Sequence, residues 1–187
     1  MLKNKKFWTI TALGICGLCI IACVVFIVMS GLGKVAYQAL EFNNRVGIGK
    51  QAPDFESQTI TGEAIQLKML QGKPLVLIFS ASWCPDCVRE IPYFQEAHNK
   101  YPQLQMLLID SGENIGDVQA FIENQNISIP VLLDAKGEIS DQYDIYAIPS
   151  AFFLDKNGII QTHLIDVFDE AQVEIALKSI GIGSAGK

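Results

Sequence analysis

The fold of this chain is decided by one stretch, Leu75-Val76-Leu77-Ile78-Phe79-Ser80-Ala81-Ser82-Trp83-Cys84-Pro85-Asp86-Cys87. It opens with an unbroken apolar run, which predicts a strand that is buried on both faces. Apolar residues recur at helical spacing after the second cysteine, from Val88 to Phe94. The two cysteines therefore lie where a central strand is followed by a helix.

Cys84 is predicted to cap that helix, because Pro85 then occupies the first helical position, where its missing N–H costs nothing. The Cys84 sulfur is then closest to the free N–H groups and the positive end of the helix dipole, which stabilise a thiolate. Cys87 lies one turn further on and can close a small disulfide ring. We expect a dithiol that cycles between oxidised and reduced, with Cys84 as the exposed, reactive sulfur.

A structural zinc site is the alternative for two cysteines at this spacing, and it needs four ligands. After the apolar N-terminal run the sequence has no other cysteine, and its histidines, His98 and His163, are not at ligand spacing. The sequence therefore predicts no metal and no cofactor.

The N-terminal segment predicts a signal anchor. Residues 1–6 contain three lysines, and the charge-free run from Phe7 to Gly33 is longer than the roughly 20 residues that a membrane helix needs. By the positive-inside rule these lysines lie in the cytoplasm and the following domain outside. The predicted organisation is a cytoplasmic N-terminus (1–6), a transmembrane helix (7–33), a tether (34–50) and one folded domain (51–183).

Two alternatives to a retained helix stay open. A cleaved signal peptide has an apolar core of about 7–15 residues, shorter than this run. The tetrapeptide Ile20-Ile21-Ala22-Cys23 resembles a bacterial lipobox, in which the cysteine is lipidated. The apolar run continues past both candidate cleavage points, which favours the retained helix.

The charge of the chain argues against some partners. Without the N-terminal lysines it has 11 basic and 20 acidic residues, a net charge of −9. Nucleic acid and anionic lipid both repel such a domain. We therefore predict no nucleic-acid partner, and contact with the membrane only through the N-terminal helix.

The remaining residues predict an α/β domain. Residues 55–67 have the pattern of a hairpin around Thr61-Gly62, and strands alternate with helices from there to residue 143. A second hairpin follows around Lys156-Asn157-Gly158, and then a final helix capped by Asp169. This order predicts a central sheet of mixed direction flanked by helices.

Four motifs occur in order along this domain: Ala52-Pro53-Asp54-Phe55, Trp83-Cys84-Pro85-Asp86-Cys87, Glu90-Ile91-Pro92 and Ile148-Pro149-Ser150. Together they resemble the membrane-tethered TlpA/ResA-like thiol-disulfide oxidoreductases of the thioredoxin superfamily. The resemblance implies a thioredoxin fold preceded by an N-terminal β-hairpin. It also implies that Pro149 is cis and faces the disulfide, and that Ile148 and Pro149 bind the substrate chain.

The resemblance also assigns a base to the site. Thioredoxins carry a buried aspartate six residues before the first cysteine, where this chain has Ile78. ResA-like proteins place a glutamate three residues after the second cysteine, which corresponds to Glu90. We expect Glu90 to take the proton of Cys87, with a pKa raised by burial and by Asp86. The alternative is an exposed carboxylate in a surface ion pair.

The residues next to the cysteines are expected to tune the redox potential. Pro85 and Asp86 separate the cysteines, and the negative charge of Asp86 disfavours a thiolate while the helix dipole favours it. Trp83 is expected to pack beside the site. Because the two electrostatic effects oppose each other, the sequence leaves open whether the protein mainly makes or breaks disulfides.

The predicted function is an extracytoplasmic thiol-disulfide oxidoreductase of the bacterial cell membrane, single-pass, acting on exported proteins through Cys84 and Cys87. An unidentified redox partner would reset the dithiol. Similar proteins with Cys-Pro-Asp-Cys include Gram-positive surface enzymes that introduce disulfides into exported proteins, which favours disulfide formation. A reductase, as in cytochrome c maturation, is the alternative direction.

Two other classes share parts of the pattern. A peroxiredoxin-like antioxidant has the Ala-Pro-Asp-Phe opening, but usually has a threonine three residues before its cysteine, where this chain has Ala81. A copper chaperone of the Sco type has three residues between its cysteines and a distal histidine ligand.

Overall fold

The computed structural model describes Phe26 and residues 46–183. The chain divides into two compact units, Met1–Arg45 and Val46–Lys187, and only the second is described at length. The predicted cytoplasmic N-terminus, the predicted transmembrane helix apart from Phe26, and most of the predicted tether lie outside the described residues. Within the described part, no helix combines the length and the apolar character that a membrane span requires.

Strands and helices alternate along the second unit much as the sequence predicts. In order they are β1 (Glu56–Gln58), β2 (Ala64–Gln66), a 3-10 helix (Leu67–Leu70), β3 (Leu75–Ser80), α1 (Pro85–Lys100), β4 (Gln105–Ser111), α2 (Ile115–Gln125), β5 (Val131–Asp134), α3 (Glu138–Gln142), β6 (Ser150–Leu154), β7 (Ile160–Ile165) and α4 (Glu170–Ser179). β1 and β2 form an antiparallel hairpin at the predicted place. The other strands form one sheet in the order β5-β4-β3-β6-β7.

The sheet is mixed in direction. β3, β4 and β5 are parallel, whereas β6 is antiparallel to β3 and β7 is antiparallel to β6. β6 and β7 are the second predicted hairpin. The last helix, α4, begins at the predicted cap, because the Asp169 side chain accepts the N–H of Gln172 and the Gln172 side chain accepts the N–H of Asp169.

The central strand β3 is buried along its whole length, as its apolar run predicts. Because side chains alternate across a strand, Val76 and Ile78 pack on one side, where the buried faces of α1, α2 and α4 cover the sheet. Leu77 and Phe79 pack on the other side, against the hairpin segment, α3 and Tyr143. The fold is thus two hydrophobic layers on either side of one sheet.

Contacts of this domain begin before the predicted boundary at residue 51. The N–H of Gly49 donates to the carbonyl of Ile160 at 2.7 Å, and the N–H of Ile160 donates to the carbonyl of Lys50 at 2.9 Å. The end of the segment predicted as a tether is therefore held to the start of β7 by backbone hydrogen bonds, and Gln51 beside it forms an isolated bridge to Ile159. The reason is that an edge strand has backbone groups free to pair.

Tyr143 joins the segment before the hairpin to the sheet. Its hydroxyl donates to the carbonyl of Pro53 at 2.7 Å. Its ring packs against Phe79 and Phe152, with centroid distances of 5.4 and 5.3 Å. One buried side chain thus holds together two parts of the chain that are far apart in sequence.

We predict that Tyr143→Phe lowers the free energy of unfolding by about 1 kcal/mol, the usual net value of one hydrogen bond, because the ring packing is kept. Urea denaturation measures this change. Tyr146→Phe is the matched control, since Tyr146 is 81% exposed, and it should change stability by less than about 0.5 kcal/mol. Equal losses in the two variants would contradict the prediction.

Candidate active site

The sheet brings the candidate residues to one edge. β3 and β4 are parallel, so their carboxyl ends lie side by side, with Ser80 paired to Asp110. β6 runs the opposite way, so its first residue, Ser150, pairs with Phe79 near the end of β3. β7 ends at the same edge, with Ile165 paired to Ser150. The loops after β3, after β4, before β6 and after β7 therefore lie along this edge.

The two cysteines form a disulfide at the start of α1. Cys84 and Cys87 are bonded, with their Cα atoms 5.3 Å apart. Cys84 is the N-cap, its sulfur accepts the N–H of Cys87 at 3.2 Å, and Pro85 is the first helical residue. This is the predicted arrangement. After reduction the same N–H groups and the helix dipole stabilise a thiolate on Cys84.

Cys84 is less exposed than the sequence predicts. Its relative exposure is 5%, against 2% for Cys87, so both residues are buried. The cause is the loop before β6, where Ile148 packs against the cysteines and its carbonyl oxygen lies 3.9 Å from the Cys84 sulfur. The Ile148–Pro149 peptide is cis, as the resemblance implies. Binding of substrate by Ile148 and Pro149 stays a prediction.

Trp83, which is expected to pack beside the site, projects largely into solvent. Trp83 is 66% exposed, and two further large apolar side chains project from loops at the same edge: Tyr146 before the cis peptide, 81% exposed, and Val167 after β7, 51% exposed. We call these three residues the apolar rim. Sequence analysis missed the last two, because an isolated apolar residue in a loop gives no sign of its exposure.

Glu90 is buried, so the alternative of an exposed surface carboxylate is excluded. It is 1% exposed and lies on the same buried helix face as Cys87. Its Oε1 accepts the N–H of Phe168 at 2.9 Å, and its Oε2 is buried without a hydrogen-bond partner. Burial raises the pKa of Glu90 to about 7, opposed by the Phe168 hydrogen bond and assisted by the Asp86 charge. Such a group gains and loses a proton near neutral pH, as a general acid–base residue must.

The negative charge of Asp86 is partly compensated by Arg89. Its carboxylate accepts a hydrogen bond from Arg89 at 2.5 Å, in a half-exposed ion pair one turn along α1. The Arg89 charge also acts on Glu90, where it lowers the pKa that Asp86 raises. The ion pair with Arg89 weakens the effect of the Asp86 charge on the neighbouring sulfurs.

Two carboxyl groups at this edge were missed by sequence analysis. Oε2 and Oε1 of Glu113, after β4, accept the N–H and the hydroxyl of Ser82 at 2.5 and 2.6 Å. Asp110, in β4, is fully buried, and neither of its carboxyl oxygens has a hydrogen-bond partner. Thioredoxins carry a buried aspartate where this chain has Ile78, and two buried acids of this chain, Glu90 and Asp110, lie in the elements around that position. The only sequence signal for Asp110 is an acidic residue near the end of an apolar strand.

Among residues 46–183, no group of three or more histidine, cysteine or acidic side chains is placed to hold a metal ion. The disulfide, the cis-proline loop and a buried acid one turn beyond the second cysteine define, on this sheet, a thioredoxin-like thiol-disulfide oxidoreductase.

Known proteins of this class are similar in sequence and fold. A profile described as AhpC/TSA family matches residues 48–163. The thiol-disulfide oxidoreductase ResA of Bacillus cereus is 30% identical over 161 residues, which cover 84% of this chain and 93% of that protein. StoA from Bacillus subtilis is 30% identical with a TM-score of 0.59, covering 67% of this chain and 96% of StoA.

A third similar structure is a secreted Mycobacterium tuberculosis disulfide oxidoreductase homologous to E. coli DsbE. It is 26% identical with a TM-score of 0.62, covering 67% of this chain and 95% of that one. The thioredoxin fold predicted from the motifs is thereby confirmed. The chain belongs to the AhpC/TSA family and, within it, to the TlpA/ResA-like thiol-disulfide oxidoreductases.

The raised pKa of Glu90 predicts a pH-dependent stability. The folded protein keeps the Glu90 proton up to about pH 7, whereas the unfolded chain releases it near 4.5. The stability due to this proton is therefore fully present below pH 4.5 and is lost as the pH rises to about 7. Over that window the wild-type protein should lose up to about 3 kcal/mol more than Glu90→Gln.

Denaturant unfolding at closely spaced pH values measures this difference. Glu96→Gln is the matched control, because Glu96 is an exposed carboxylate on the same helix, and it should keep the wild-type slope. Parallel curves for wild type and Glu90→Gln would show that folding does not raise the pKa of Glu90.

Proposed function

We propose that this protein exchanges disulfides with exported polypeptides at the outer side of a bacterial membrane, to which its N-terminal segment tethers it. The apolar rim carries the proposal. Trp83, Tyr146 and Val167 are exposed on loops at the edge that bears the disulfide. Unfolded polypeptides expose apolar side chains that such a surface can bind. The secreted relative from Mycobacterium tuberculosis supports an extracytoplasmic setting.

The exchange needs only sulfur chemistry. In the oxidising direction a substrate thiolate attacks the Cys84 sulfur, the Cys84–Cys87 bond breaks, and Cys87 leaves as a thiolate. A second substrate thiolate then attacks the substrate sulfur of the mixed disulfide and releases Cys84 as a thiolate. The substrate has gained a disulfide and the protein a dithiol. The reverse sequence reduces a substrate, with Cys84 as the nucleophile and Cys87 as the resolving sulfur.

Glu90 handles the proton in this cycle. When Cys87 is the leaving group, the protonated carboxyl of Glu90 can donate to it, and when Cys87 must attack, the carboxylate can accept its proton. Both forms are populated near neutral pH, because the pKa of Glu90 is about 7. Glu90 and Cys87 lie on the same face of α1, one turn apart.

The positions of the two sulfurs predict which cysteine variant traps a substrate. Cys84 caps the helix and is the sulfur that attacks or is attacked, so Cys87→Ala should accumulate mixed disulfides with exported proteins, because the resolving sulfur is gone. Cys84→Ala should not. Non-reducing electrophoresis of membrane preparations, followed by mass spectrometry of the trapped partners, measures this. Equal trapping by both variants would reverse or abolish the assignment.

We expect the dithiol to favour disulfide formation, on the Cys-Pro-Asp-Cys resemblance. The reduction potential of Cys84/Cys87, measured against glutathione, should then lie closer to about −120 mV than to about −270 mV. A value near the lower figure would assign the reductase role that is the alternative. Hydrogen peroxide consumption by the same preparation would instead support the peroxiredoxin-like activity that the AhpC/TSA match raises.

A further inference from the structure

The edge of the sheet opposite the disulfide carries an excess of lysine. It lies where β3 begins and β6 ends, and three segments form it: 46–54, 68–74 and 155–158. Backbone hydrogen bonds join the segments. The N–H of Gly72 donates to the carbonyl of Lys156 at 2.7 Å, and the N–H of Ala52 donates to the carbonyl of Gly158 at 2.9 Å. We call these three segments together the lysine edge.

The two ends of the sheet differ in charge. The lysine edge has four lysines and two aspartates: Lys50, Lys68, Lys73, Lys156, Asp54 and Asp155. The loops around the disulfide (81–89, 112–117, 135–149 and 166–170), which we call the disulfide edge, have nine acidic residues and two basic ones. The charges of the domain are therefore segregated between the two ends of β3.

The lysine edge also has apolar surface. Lys73 and Lys156 are exposed, and among residues 46–183 neither forms an ion pair. Ile48 projects from the same edge and is 69% exposed. Lys68 and Lys73 line a cavity that has an apolar floor formed by Leu67, Leu70, Leu75 and Leu154. Ammonium groups on long apolar stems, beside exposed apolar atoms, suit the boundary between lipid headgroups and water.

The chain enters the domain at this same edge. The described domain begins at residue 46, whereas the predicted transmembrane helix ends at residue 33. The residues between them, 34–45, span at most about 45 Å when fully extended. The lysine edge is therefore the part of the domain that a tether of this length keeps nearest to the bilayer.

We propose that the lysine edge docks on an anionic lipid surface, and that this contact turns the disulfide edge away from the membrane. Each lysine close to such a surface contributes roughly a fivefold preference for the docked state. The acidic residues of the disulfide edge are repelled by the same surface. The net charge predicts repulsion of the whole domain, because it adds the two ends together. The inference rests on the tether of the proposed function, which keeps the domain within the short range of screened charges.

Tryptophan fluorescence of the full-length protein in vesicles tests this orientation. The chain has two tryptophans, Trp8 and Trp83. Trp8→Phe leaves only Trp83, on the disulfide edge. Combining Trp8→Phe and Trp83→Phe with Ile48→Trp leaves a single reporter on the lysine edge. The vesicles contain phosphatidylglycerol and phosphatidylcholine in equal amounts, and some of the phosphatidylcholine carries a nitroxide quencher on its headgroup.

The Ile48→Trp reporter should be quenched in these vesicles at low salt, and Trp83 should not be. The quenching should be lost at high salt, which screens the charges, and in vesicles of phosphatidylcholine alone. Equal quenching of the two reporters, or quenching that does not need phosphatidylglycerol, would overturn the proposal. A fluorescence change that depends on protein concentration without lipid would assign this edge to a second copy of the chain instead.

Charge variants test the lysines themselves, with the docking equilibrium measured as the phosphatidylglycerol content is raised. Lys73→Gln should weaken docking of the Ile48→Trp reporter roughly fivefold, and the combination with Lys68→Gln and Lys156→Gln roughly a hundredfold. Lys136→Gln is the matched control, because Lys136 is an exposed lysine of the disulfide edge, and it should not weaken docking. Equal effects of Lys73→Gln and Lys136→Gln would mean that only net charge matters, and docking through the lysine edge would be wrong.

Flotation separates a failure of the tether from a failure of docking. The reconstituted full-length protein should float with vesicles of phosphatidylcholine alone, because its N-terminal segment holds it there without help from charge. A protein that does not float contradicts the tether, and docking, which rests on it, is then wrong as well. A protein that floats but shows no quenching of the Ile48→Trp reporter with phosphatidylglycerol contradicts docking alone.

Discussion

β3 is completely buried between two hydrophobic layers, and the positions of the other elements follow from this burial. A strand covered on both faces must be central, so its neighbours β4 and β6 are paired on either side of it. Because β4 is parallel to β3 and β6 is antiparallel, the end of β3 meets the end of β4 and the start of β6. The loop that carries the disulfide therefore lies beside a carboxyl-rich loop and the cis-proline loop.

Burial at this edge has a second consequence, because it raises the pKa values of two carboxyl groups. Glu90 and Asp110 are both removed from water, and burial is the largest cause of the raised pKa of each. They differ in their partners: the Phe168 N–H supports the charged form of Glu90, whereas Asp110 faces further carboxylates. One buried acid can therefore exchange its proton near neutral pH, and the other keeps its proton to higher pH.

Electrostatics and exposure thus divide the site into two parts. The sulfurs and the acids lie beneath the loops. The low polarity there strengthens electrostatic interactions, so the protonation state of each acid has a large effect. The apolar rim stands in solvent around them and carries no charge. The proposed exchange with unfolded polypeptides would use both parts: a buried centre with defined proton states, and a surface that binds apolar segments without reading one sequence.

The local elements and the reactive cysteine pair could be predicted from the sequence alone. The apolar run of β3, Pro85 at the first turn of α1, and the turn before β7 are signals in neighbouring residues, so they could be read before the fold was known. The motif order identified the family and Glu90 for the same reason. The exposure of Trp83, the contact of Ile148 with Cys84 and the burial of Asp110 could be read only from the tertiary structure. These depend on which distant strands become neighbours, and burial and pKa follow from that packing rather than from spacing along the chain.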